Sequence, residues 1–138
     1  MAMAPASLER AKGRIREITR RSRGVSLERV ISELNAFLTG WVTYFRYASA
    51  KKHLRRLDEW IRNRLRCVRL KQRKRGRSVT SLLVSLGVPH ERARRLGGSG
   101  SGWWRMAGCP QAKEAMGLQW FKEQKLVSLT ERYLSLQH

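Results

Sequence analysis

Leu54-Arg55-Arg56-Leu57-Asp58-Glu59-Trp60-Ile61-Arg62-Asn63-Arg64-Leu65-Arg66-Cys67-Val68-Arg69 decides the fold. Leu54, Leu57, Ile61, Leu65 and Val68 recur at steps of three and four, the repeat of an α-helix with one buried stripe. Arg55, Arg62, Arg66, Arg69 and Arg73 follow a second line on the same repeat. One helix is therefore expected to present a core side and a basic side. The basic run continues through Lys71, Lys74, Arg75 and Arg77, with Gly76 as the expected end of the helix. Between Lys51 and Arg77, thirteen Lys and Arg stand against only Asp58 and Glu59, more than half of the chain's net charge of +20.

Upstream lies the aromatic cluster Gly40-Trp41-Val42-Thr43-Tyr44-Phe45. Ser26 offers an N-cap, and Leu27, Val30, Ile31, Leu34, Leu38, Trp41 and Phe45 then recur at helical spacing, the longest apolar stripe in the chain. Trp41 and Phe45 are four apart on that stripe, so they are expected in the core together with Leu57, Ile61 and Leu65. Tyr44 and Tyr47 point away from it and are candidates for stacking on a base or bonding a phosphate. A first helix is expected after Ser7 as N-cap, with Leu8, Ala11, Ile15 and Ile18 on one face. A break near Ala48-Ser49 separates the second helix from the third.

Beyond Ser78 the composition changes, with eight Arg and Lys against four Glu. Short helices are expected over Val79–Leu86 and Pro89–Leu96, followed by the loop Gly97-Gly98-Ser99-Gly100-Ser101-Gly102. Further helical pieces follow around Gln111–Met116 and Leu118–Leu136, the latter broken near Leu126-Val127-Ser128. No alternating, strand-like segment stands out. The expected fold is all-α, a three-helix N-terminal bundle over residues 1–77 with a smaller helical part over 78–138.

A chain of 138 residues with 41% hydrophobic residues and five Trp can bury a core without disulfides or metals. Cys67 and Cys109 lie far apart with no partner at metal-ligand spacing, so free thiols in a reducing cytoplasm are expected, and no metal or other cofactor. Neither a signal-like apolar segment nor a membrane-spanning run is present.

Surfaces that are merely solvated usually intersperse both signs of charge, but the basic line after Lys51 almost lacks the i+4 acidic partners that would neutralise it. A polyanion is the expected partner. If six to ten of these charges met phosphates, affinity would fall roughly a thousandfold or more between low and moderate salt. Catalysis is disfavoured: metal-dependent phosphoryl chemistry needs clustered carboxylates, and Asp58 is the only Asp. Glu59 lies about 100° further around the same helix. His53, His90 and His138 are scattered. The pair Trp103-Trp104 cannot face one core together, which leaves one of them available for stacking.

Taken together, Gly40–Phe45, Leu57–Cys67, Lys71-Gln72-Arg73-Lys74, Leu86-Gly87-Val88, Gly102–Ala107, Leu126–Leu129 and Arg132-Tyr133 resemble the maturase-specific region of group II intron-encoded reverse transcriptases. That resemblance implies the thumb and domain X, with a DNA-binding-like segment downstream and without the polymerase palm. It implies a non-catalytic protein that binds group II intron RNA and assists its folding and splicing, while the RNA performs the transesterifications. The RNA-binding residues expected on this basis are Arg55, Arg62, Arg66, Arg69, Lys71, Arg73, Lys74, Arg75 and Arg77, with Tyr44 and Tyr47. The alternative readings are the thumb part of a split or truncated reverse transcriptase acting in trans with a separate palm fragment, a module that binds a DNA target, and an inactive relic. Ser78-Val79-Thr80-Ser81 and Ser99-Gly100-Ser101 are neutral where the family is commonly basic, which weakens the expectation of contacts by the C-terminal part.

Overall fold

The computed structural model describes residues 5–44 and 50–136, and these form nine α-helices and no strand. In chain order they are α1 (Pro5–Ile18), α2 (Leu27–Tyr44), α3 (Lys51–Arg73), α4 (Gly76–Ser85), α5 (His90–Gly97), α6 (Trp103–Ala107), α7 (Pro110–Ala115), α8 (Leu118–Glu123) and α9 (Leu129–Leu136). The all-α class expected from sequence is the class observed. No helix among the described residues is long and apolar enough to cross a membrane. Contacts group the chain into two compact units, Met1–Arg62 with Gln124–His138, and Asn63–Glu123. This boundary falls inside α3, whereas the change in composition falls near residue 77; the first reflects packing and the second charge.

In the first unit, α1 begins two residues before Ser7. Pro5 suits a first turn because its φ is fixed and its missing N–H would have no partner there. Ser7 lies inside the helix, where its hydroxyl accepts a hydrogen bond from Arg10. The turn into α2 is closed by Arg23, which donates to the Ile18 carbonyl at 2.8 Å, and by Gly24 at φ 70°. Ser26 caps α2 as expected, its Oγ accepting from the Arg29 amide.

Ala11, Ile15 and Ile18 of α1 are buried with Leu27, Val30, Ile31, Leu34, Leu38 and Val42 of α2 and Leu54, Leu57 and Ile61 of α3. At the end of the α2 stripe the fully buried residue is Val42, while Trp41 is half-buried on its flank. Phe45 and Tyr47 lie outside the described residues. A further helix, α9, packs on α2 and contributes Leu129 and Tyr133 to this core. The C-terminal segment that reads as part of a second domain thus returns to the first unit.

In the second unit, Leu65, Arg66, Cys67 and Val68 are buried in succession, and so is Leu70. Around these residues α3 is covered on nearly all sides, and the division into one core side and one basic side holds only for its earlier half. The helix also stops sooner than expected. Its last residue is Arg73; Lys74 adopts a left-handed φ of 66°, and its amide returns to the Lys71 carbonyl at 3.0 Å. Gly76 opens α4 instead of closing α3. A Cβ on Gly76 would come within 2.2 Å of the Gly97 carbonyl oxygen, so glycine is what permits the close approach of α4 and α5. After α5 the chain turns at Gly98, whose amide donates to the Arg94 carbonyl, and Gly100 adopts φ 68°.

Candidate nucleic-acid interface

In the first unit, Leu54, Leu57 and Ile61 point α3 into the core, which leaves Arg55 and Arg56 exposed and Arg62 half-buried. None of these three has a carboxylate partner among the described residues. The nearest acid along the chain, Asp58, is turned inward and is only 6% exposed. Its Oδ1 accepts the Leu129 amide at 2.8 Å; its Oδ2 accepts the Thr130 amide at 2.9 Å and the Thr130 hydroxyl at 2.7 Å. The Ser128 hydroxyl donates to the same oxygen at 3.3 Å. Asp58 therefore serves as an N-terminal anion for α9, satisfying amides that no residue of that helix could reach. Asn35 of α2 holds the preceding segment from both sides: its Nδ2 donates to the Lys125 carbonyl, and its Oδ1 accepts the Val127 amide.

In the second unit the basic residues divide by burial. Arg66 is 7% exposed; its Nε donates to the Met116 carbonyl at 2.8 Å, and its guanidinium lies 5.3 Å from the centre of the Phe121 ring. This arginine joins α3 to the turn after α7 and is not available to a ligand, contrary to the place that its spacing suggests. The spacing misleads because an Arg line on a helix is solvent-facing only where nothing packs over it. Arg69 is half-buried, with Nη1 donating to Gln72 at 3.2 Å and a buried Nε that finds no acceptor among the described residues. Lys71 is half-buried.

Arg73, Lys74, Arg75 and Arg77 are all exposed, on the sharp turn between α3 and α4. The turn is held by the Arg75 amide on the Arg73 carbonyl at 2.8 Å, with Arg75 extended at φ −123° and ψ 148°. No side chain caps the N-terminus of α4. Four cations and an uncapped helix start thus share five residues, an arrangement that attracts phosphate oxygens by charge and by backbone N–H groups together. None of the four has an acidic partner among the described residues.

Most carboxylates are committed elsewhere. Glu33 accepts from Arg23 and Arg29, Glu114 from Arg92, and Glu91 from Arg94. In each case the arginine hydrogen bond is the main cause that holds the carboxyl below its ordinary range. Burial of Asp58 and pairing of the glutamates on other helices leave the α3–α4 turn strongly positive.

Among the aromatic candidates, Tyr44 closes α2 and is 83% exposed. Trp104 is 46% exposed, and its neighbour Trp103 is half-buried. Ser78, Val79, Thr80 and Ser81 belong to α4, where Val79 is in the core, Ser78 and Thr80 are half-buried and Ser81 is exposed.

A search of curated proteins returns no match. The family model for the group II intron maturase-specific domain matches residues 8–83, from the first turns of α1 to near the end of α4, more than half of the chain. That span includes the whole of α3, the turn Arg73–Arg77 and the buried Asp58. The chain belongs to the group II intron maturase-specific domain family.

Proposed function

We propose that this protein binds group II intron RNA and helps it reach its splicing-active fold, without catalysing a reaction itself. The observation that carries this reading is the exposed turn of Arg73, Lys74, Arg75 and Arg77, positive and without acidic partners among the described residues. Folded RNA presents phosphates at high density, and a cluster of cations on a helix–helix turn positions the protein on them without reading sequence. Arg55, Arg62, Arg69 and Lys71 extend the contact in this reading, and Tyr44 supplies an exposed ring for an unpaired base. Arg66 drops out of the contact set because it is engaged inside the protein. Phosphodiester chemistry is left to the RNA, since the one aspartate has both oxygens occupied by the start of α9.

The test is splicing of a group II intron precursor at limiting magnesium, with and without the protein. Faster or more complete splicing with protein is expected, together with saturable binding of the same RNA. A protein that binds duplex DNA at matched salt but neither binds the intron RNA nor changes its splicing would overturn the proposal.

A further inference from the structure

A hollow of about 370 Å³ lies in the first unit between α1 and α3. Lys12 and Arg16 reach it from α1, one helical turn apart, and His53, Arg56 and Trp60 reach it from α3, with two leucines completing the lining. Among the described residues no carboxylate lines it. The charges suit an anion, and the indole suits a flat ring. Arg16 lies over Trp60, its guanidinium carbon 5.4 Å from the ring centre, so this face already carries a planar cation. Trp60 is only half-buried, whereas its neighbours Leu57 and Ile61 are buried. Part of the indole surface therefore stays open to solvent. Glu9 approaches Lys12 at 3.8 Å and is itself well exposed.

The volume narrows the ligand. Small-molecule sites span about 300–1,000 Å³, so this one is at the low end and has room for one base with its sugar and phosphate. We infer that the hollow is a pocket for a single unpaired nucleotide, with the base against Trp60 and the phosphate held by Lys12, Arg16 and Arg56. The inference rests on the RNA-binding reading above, but it concerns different residues from the Arg73–Arg77 turn. The pocket adds an enclosed stacking contact to a protein whose other proposed contacts are to phosphates and, through Tyr44, to an unpaired base.

The indole N–H resonance of Trp60, assigned as the signal missing from Trp60→Leu, is followed during titration of the full chain with adenosine 5′-monophosphate, a single-stranded adenosine pentanucleotide, and inorganic phosphate. The resonance is expected to shift with the pentanucleotide, and Arg56→Glu, an exposed substitution that leaves the core intact, weakens that response by about tenfold or more. A matching shift with the monophosphate assigns the pocket to free nucleotides as well, and a shift with the pentanucleotide alone assigns it to a nucleotide within a chain; either supports the inference. An equal response to inorganic phosphate, or no response to either nucleotide, overturns it. If backbone amides of residues 74–77 still shift with intron RNA in that case, only the pocket has failed; if they too are unmoved, the RNA-binding reading has failed with it.

Discussion

The Leu129 amide donates to Asp58 Oδ1 at 2.8 Å, linking the start of the last helix to the middle of the third across 71 residues of chain. The contact has two consequences. It closes the first unit by holding α9 on its core, and it removes the carboxylate from the basic surface of α3.

Asp58→Ala should destabilise the first unit by about 3 kcal/mol, because it leaves one buried and one partly buried amide without their acceptor and removes an N-terminal anion from α9. Asp58→Asn should cost less, since one acceptor oxygen remains. Chemical denaturation of the three proteins checks the order. Equal midpoints for Asp58→Ala and wild type would show that α9 is not held in this way.

Arg66 and Arg75 should behave as opposites although both lie in one basic run. Arg66→Ala strands the Met116 carbonyl and empties the space over Phe121, a loss of about 2–4 kcal/mol, with little effect on the RNA affinity of the protein that remains folded. Arg75→Ala should leave stability within about 0.5 kcal/mol and weaken RNA binding. Parallel denaturation and filter-binding curves separate the two.

Lys74 is a charged residue in a conformation that favours glycine. Lys74→Gly should therefore raise stability by about 1 kcal/mol while weakening RNA binding by one phosphate contact. A variant that gains both stability and affinity would remove the reason for a lysine there.

The Arg23–Glu33 pair gives a pH signature. The Arg23 hydrogen bond, the largest effect, outweighs the opposing loss of solvent and, with smaller help from the Arg23 charge and from Arg29, holds the Glu33 carboxyl below its ordinary range. A lowered carboxyl contributes stability that is present above its unfolded value and lost as pH falls through the folded one. Glu33→Gln should thus lower the melting temperature at pH 7 and make no difference near pH 2. A gap of the same size at both pH values would contradict the assignment.

Much of this architecture is legible in the sequence. Leu54, Leu57 and Ile61 announce a buried stripe, Ser26 announces a helix start, and the absence of alternating segments excludes a sheet. What is hidden are relations between distant segments. Nothing local marks Asp58 as the partner of Leu129, although a lone Asp in a basic helix and the helix-start pattern Ser128-Leu129-Thr130-Glu131 are its two halves. Arg66 has the same spacing as exposed arginines, and only the packing of α8 around it shows that it is internal. Gly76 reads as a helix end because glycine usually is one; its reason here is the backbone of Gly97, which no local pattern reveals. The Trp60 hollow needs α1 and α3 side by side before its charges and its ring come together.

The most direct measurement is the affinity for a group II intron RNA as a function of salt, for wild type and for the variant with Arg73, Arg75 and Arg77 all changed to Glu. Each phosphate contact contributes roughly 0.7–0.9 to the slope of log affinity against log salt. Wild type is predicted to bind with a slope of about −4 or steeper, and the variant, with unchanged helicity, to bind at least a hundredfold more weakly with a slope shallower by about 2–3. Salt-independent binding by wild type, or equal affinity in the variant, would contradict the account.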